Sequence, residues 1–159
     1  MDGGLTHGLG VYCSASGPGH GAGAIIRESQ TTPITIIERD MMDILFLLKP
    51  DFTDSTRDSE GKRYYCPDCA FLEGVLGYCP ELQERLDIRY VDYPKPRREI
   101  VDLVGEAHQS CPNLVLDPSN HSMVDPNRFH RHGEQLHSDD SRIIVDYLAE
   151  RYGVQTAHF

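Results

Sequence analysis

The sequence predicts an α/β fold, and three observations carry that prediction. An unbroken apolar run, Ile44 to Leu48, is closed by Lys49, Pro50 and Asp51, as expected of a strand buried on both faces. Helix-like and strand-like segments then alternate along the chain. A Cys-x-x-Cys pair, Cys66 and Cys69, opens the first of those helices. The expected architecture is a central mixed sheet of about four strands flanked by about three helices, with a strand–helix–strand unit at its start.

Residues 1–40 are set apart by composition. Eight of the fourteen glycines fall in the first 24 residues, and hydrophobic periodicity is absent until AIIRESQTTPITIIERD, where Pro33 interrupts two β-branched runs. This extension is expected to be disordered, a loosely attached strand, or the product of a start assigned upstream of Met41 and Met42. The folded domain is placed at 41–159. After the first strand, DFTDSTRDSEGKR reads as a polar loop. Pro67 suits the first turn of a helix, where no N–H is required, and Ala70, Phe71, Val75 and Leu76 recur at helical spacing. Pro80 breaks that helix, ELQERL adds a turn, and LDIRYVDYP alternates as a strand. PRREIVDLVGEA gives a second helix with Ile100, Leu103 and Val104 on one face, and CPNLVLDP a third strand. A polar stretch with a short strand around Arg128 to Leu136 follows. DSRIIVDYLAERYG closes the domain as a helix that buries Ile143, Ile144, Tyr147 and Leu148 and stops at Gly153.

Composition narrows the partners. A formal net charge of −10 opposes broad contact with nucleic-acid phosphates or an anionic membrane surface. No run approaches the length of a membrane helix, and the chain start lacks a secretory pattern, so a cytoplasmic location is expected. Five cysteines, an odd number without regular spacing, read as packing, metal or redox residues rather than a disulfide scaffold.

The Cys66–Cys69 spacing puts two thiols one helical turn apart at a helix N-terminus. Backbone N–H groups there stabilise the first thiolate, which suits attack on a disulfide followed by resolution. Lys62 and Arg63 would add to that stabilisation, and Asp68 would oppose it. Zinc sites use the same spacing, so the pair alone leaves exchange, metal binding and a structural role open.

Three segments resemble known proteins. Arg63-Tyr64-Tyr65-Cys66-Pro67-Asp68-Cys69 is similar to the basic-x-Tyr-Cys-Pro-x-Cys signature of glutaredoxins. Ser110-Cys111-Pro112-Asn113-Leu114 falls where thioredoxin-like proteins place a cis-proline ahead of their third strand. Asp140-Ser141-Arg142-Ile143-Ile144-Val145-Asp146-Tyr147-Leu148 resembles the acid-serine segment of glutathione-transferase N-terminal domains, which binds the γ-glutamyl end of glutathione. The closest resemblance is to a small family of uncharacterised bacterial thioredoxin-like proteins sharing MDILFLLKPDF, YYCPDCA and QSCP. These likenesses imply a thioredoxin-like domain of the glutaredoxin and glutathione-transferase branch. In it Cys66 attacks, Cys69 resolves, and Cys111-Pro112 aligns a small thiol or protein disulfide. Tyr65 contacts the ligand, and Asp140 with Ser141 holds glutathione, an optional co-substrate; no cofactor is required. Two departures stand out: a longer loop before Cys66, and HSDD in place of a Gly-Gly before Ser141.

Each residue also has a plainer role. Cys111 serves as a resolving thiol, a metal ligand or a small buried side chain, and Cys79 as core. His121, His130, His132 and His137 form a solvated histidine-rich stretch or contribute metal ligands, while His108 covers a helix end. Asp140 and Ser141 also make an ordinary helix cap. Beside thiol exchange stand two alternatives: a non-catalytic binding module on the same fold, and a Cys/His metal-binding protein.

Overall fold

The computed structural model describes residues 41–159, so the expectations for residues 1–40 lie outside the described residues. Its elements are β1 (Ile44–Leu48), β2 (Phe52–Thr53), β3 (Arg63–Tyr64), α1 (Pro67–Tyr78), β4 (Asp87–Val91), α2 (Arg98–Val104), β5 (Asn113–Val115), β6 (His130–His132), β7 (Gln135–Ser138) and α3 (Ser141–Tyr152). Five strands form the main sheet in the order β4-β1-β5-β7-β6, and β2 pairs with β3 in a separate ribbon. β1 runs parallel to β4 and antiparallel to β5, which is antiparallel to β7. This mixed sheet with three helices is the thioredoxin-like arrangement.

β1 is the spine because its apolar run leaves no solvent face: Leu45, Phe46 and Leu47 are all fully buried. Helices must therefore cover both sides of it. α1 and α3 pack on each other, whereas α2 contacts β6 and β7. The buried face of α1 is Cys69, Leu72 and Leu76, while Ala70 and Phe71 are exposed. Of the expected residues Val75 and Leu76 do meet the core, and the stripe is completed by Leu72 and Cys69 instead of Ala70 and Phe71. α1 stops before Pro80, and a 3-10 turn follows at Pro80–Glu84. α3 buries Ile144, Val145, Tyr147 and Leu148 and ends at Gly153 in the left-handed region, φ 73°.

The single short strand expected around Arg128 to Leu136 is a hairpin, β6 and β7, turning at Gly133 with φ 57°. The polar loop after β1 holds the β2–β3 ribbon, with Phe52 opposite Tyr64. Two-residue strands carry no alternation to detect.

On the hairpin, His137 of β7 is fully buried and neither ring nitrogen has a hydrogen-bond partner. The rings of His108 and His130 stand 4.8 and 5.3 Å from it, centroid to centroid. Burial first, then repulsion from His108 and His130, and weakly His132, pushes the His137 imidazole down to about 4; Asp139 pulls the other way. A histidine depressed in the native state is protonated first in the unfolded chain. Its cost is absent above about pH 6.5 and grows as pH falls toward 4, reaching on the order of 2–3 kcal/mol. Urea denaturation at pH 7.5 and pH 5 is expected to show that loss, and His137→Leu to flatten it; an equal slope in both proteins would contradict the assignment.

Candidate functional site

Strand register gathers the predicted residues at one end of the sheet. In the β1–β5 pairing Phe46 faces Asn113, so Cys111 and Pro112, just before β5, lie beside the C-terminal end of β1. Leu114 faces Ser138, which brings the chain entering α3 to the same edge. α1 begins there too: Leu48 N donates to Cys69 Sγ at 3.4 Å.

Cys66 is the N-cap of α1, and its Sγ accepts the Cys69 N–H at 3.2 Å. The thiol also reaches the Cys111 carbonyl at 3.5 Å. The two sulfurs of the pair stand near disulfide distance. Their environments differ. Cys66 is half-buried and lines a cleft, whereas Cys69 is 4% exposed and belongs to the core. Burial, then its bond with Cys66, pushes the Cys69 thiol well above its ordinary range. The reachable sulfur is thus Cys66, and the proton stays on Cys69 in the reduced pair.

The Cys111–Pro112 peptide bond is cis, as the resemblance implied. Burial pushes the half-buried Cys111 thiol up to about 11, against the pull of the Arg97 guanidinium. Arg97 is itself buried, donating to the carbonyls of Asp92, Tyr93 and Gln109.

Asp140 caps α3, its Oδ1 accepting from Arg142 N at 2.8 Å and Ile143 N at 3.3 Å. Ser141 donates to Asp68 Oδ1 at 3.1 Å, joining the start of α3 to the residue between the two cysteines. Arg63 is turned away from Cys66 and pairs with Asp51 at 2.6 Å, and Lys62 lies over the Tyr64 ring at 5.7 Å. The expected cationic support from Arg63 is therefore spent elsewhere, because Asp51 is the nearer carboxylate.

Two clefts open at this end of the sheet, the first lined by Cys66 and the second by Cys111. One, of about 310 Å³, includes Phe52, Tyr64, Tyr65, Tyr93 and Cys66 in its lining. The other, about 420 Å³, is bordered by Lys95, Arg97, Ser110 and Cys111. Leu48 and Tyr93 line both. Phe52 and Tyr93 stack face to face, 4.2 Å apart at 4°. Asp54 beneath them is buried; hydrogen bonds from Thr56 and Tyr93 hold its carboxyl below the ordinary carboxylate range.

Sequence reasoning placed Tyr65 at the site but missed Phe52, Asp54, Tyr93 and Arg97. One signal was available: residues just past the C-terminal ends of adjacent parallel strands line the crevice at that end of the sheet. Phe52 follows β1 and Tyr93 follows β4. Cys79 stands apart, buried with its thiol 3.3 Å from Gln155 Oε1. Among the described residues no three His, Cys, Asp or Glu side chains are grouped as a metal ion would require, and no helix is long and apolar enough to cross a membrane.

Fold and paired cysteines together define a thioredoxin-like protein with a CxxC-type pair at a helix N-terminus. Residues 42–156 match the family described as Protein of unknown function (DUF3088), and the chain belongs to that family. No curated protein and no solved structure matches it.

Proposed function

We propose that the protein carries out thiol-disulfide exchange in the manner of a glutaredoxin, with Cys66 as nucleophile and Cys69 as resolving thiol. The observation that carries this reading is the unequal burial of the pair: one sulfur opens to a cleft and accepts a helix N-terminal N–H, and the other waits behind it. The Cys66 thiolate attacks one sulfur of a substrate disulfide, forming a mixed disulfide and releasing the other sulfur as a thiolate that takes up a proton. Cys69 loses its proton and attacks the Cys66 sulfur. That closes the Cys66–Cys69 disulfide and releases the second substrate thiol, so the substrate gains the two electrons the pair gives up. A low-molecular-weight thiol returns them.

In this reading the peptide at Cys111-Pro112 aligns the extended substrate and Tyr65 covers the attacked sulfur. Glutathione is the candidate returning thiol, its γ-glutamyl end meeting Asp140 and Ser141 in an acidic-serine arrangement like that of glutathione transferases. Asp68 beside Ser141 adds a negative charge there, which disfavours the γ-glutamyl carboxylate.

Equilibration in redox buffers of graded potential, followed by peptide mapping, tests the reading. A reversible Cys66–Cys69 disulfide is expected. Thiols that stay reduced in every buffer would overturn it in favour of a non-catalytic binding module.

A further inference from the structure

The β2–β3 ribbon lies where the sequence departs from a typical glutaredoxin, and it changes what surrounds the reachable thiol. Phe52 and Tyr64 come from the two strands of that ribbon, and Tyr65 directly precedes Cys66. With Leu48, Pro67 and Tyr93 they make the cleft over Cys66 apolar and rich in aromatic faces. Its carboxylate is already engaged. The Asp54 carboxylate accepts from Thr56 N at 2.9 Å, Thr56 Oγ1 at 2.6 Å and the Tyr93 hydroxyl at 2.7 Å. Arg57, 3.9 Å from Asp54, is the one cation among the described residues that line the cleft.

Resting on the exchange reading above, we propose that this cleft receives an aromatic ring carried by the disulfide substrate, so that Cys66 prefers disulfides bearing such a ring to glutathione disulfide. Three features support this. The cleft, at about 310 Å³, is at the small end of ligand sites, which run from roughly 300 to 1,000 Å³, and so suits a single bulky group. Its aromatic walls offer stacked and edge-on contacts to a further ring. Its buried carboxylate is already satisfied, and its apolar walls gain little from a ligand rich in carboxylates and amides, which would lose water on entering. The neighbouring cleft beside Cys111 is different in kind, bordered by Lys95, Arg97 and Ser110, so it does not offer a ring the same surroundings.

The test compares the symmetrical disulfides of N-acetylcysteinyl-phenylalanine amide and N-acetylcysteinyl-glycine amide. These share the reacting thiol and differ mainly in the ring. Glutathione disulfide and bis(2-phenylethyl) disulfide are run alongside, each read as the rate of mixed-disulfide formation on the Cys69→Ser protein. The phenylalanine compound is expected to react about tenfold faster than the glycine one, the gain an aromatic contact supplies. That advantage should collapse toward parity in Phe52→Ala and fall only partway in Phe52→Leu, which keeps apolar bulk without the ring. Comparable rates for the phenylethyl and phenylalanine disulfides would assign the preference to the ring alone; a faster peptide would add backbone contacts to it. Parity between the phenylalanine and glycine compounds, or a faster reaction with glutathione disulfide, overturns the proposal and leaves exchange standing. No reaction with any of the four overturns the exchange reading, and this inference falls with it.

Discussion

Replacing Cys66 by serine is expected to abolish disulfide reduction, a loss of about a thousandfold or more, because no other thiol occupies the nucleophile's place. Cys69 cannot substitute. It is 4% exposed, and burial holds its proton on. The Cys69→Ser protein should behave differently: attack by Cys66 proceeds, resolution fails, and a mixed disulfide at Cys66 accumulates. Serine is the suitable replacement there, since its oxygen can still accept the Leu48 N–H that Cys69 Sγ accepts. Cys111→Ser completes the set and should accumulate no mixed disulfide, because Cys69 still resolves it. Intact-mass measurement after incubation with a disulfide reads all three variants. Equal turnover in Cys66→Ser, Cys69→Ser and the parent would rule out exchange at this pair.

The second large effect is one of stability and lies at the opposite end of β1. Asp43 is fully buried, and its carboxylate accepts four hydrogen bonds. Asp117 N donates to Oδ1 at 2.7 Å and Asn120 Nδ2 at 2.8 Å; Tyr152 donates to Oδ2 at 2.7 Å, and Tyr147 donates to the same oxygen. Burial, and then the Asp43 charge, pushes both phenols far up, so they remain donors at any working pH. Asp43→Ala would strip four buried or half-buried donors of their acceptor and is expected to cost on the order of 3–5 kcal/mol, read as a lowered urea midpoint. Asp43→Asn, which keeps one acceptor oxygen, should cost less. A loss below about 1 kcal/mol in the alanine variant would mean that water or other acceptors serve these groups equally well. Because Asp43 ties the start of β1 to α3, a destabilised variant should also loosen the Ser141–Asp68 contact at the far end of that helix.

How much could be read beforehand depended on the range of the interactions involved. The apolar run Ile44–Leu48, the Pro67 helix start and the Gly153 stop are local signals, and each element formed where expected. The convergence of Cys66, Cys111-Pro112 and Asp140-Ser141 is not local. It was anticipated from resemblance, and it follows physically from the register of β1 with β5 and of β5 with β7. The β2–β3 ribbon was illegible because Phe52 and Tyr64 pair across a polar loop with nothing between them to mark a strand. The same holds for Asp54, which looks like one acid among several until Thr56 and Tyr93 are seen to surround it. The β6–β7 hairpin was half seen: His130 to His132 lacks β-branched residues, and only Gly133 signals the turn. Arg63 illustrates the reverse failure, since proximity in sequence to Cys66 suggested a role that Asp51 claims.

The outermost strands of the sheet also bear on how the molecule meets its neighbours. β6 presents His130, Arg131 and His132, all exposed, along one border, and β4 presents Asp87 and Arg89, bound to each other at 2.6 Å, along the other. A strand from another chain docking on either border would have to bring its backbone against charged or titratable side chains, a common means by which natural sheets discourage edge-to-edge pairing. The sheet is thereby guarded at both borders against lengthening by a strand from another chain.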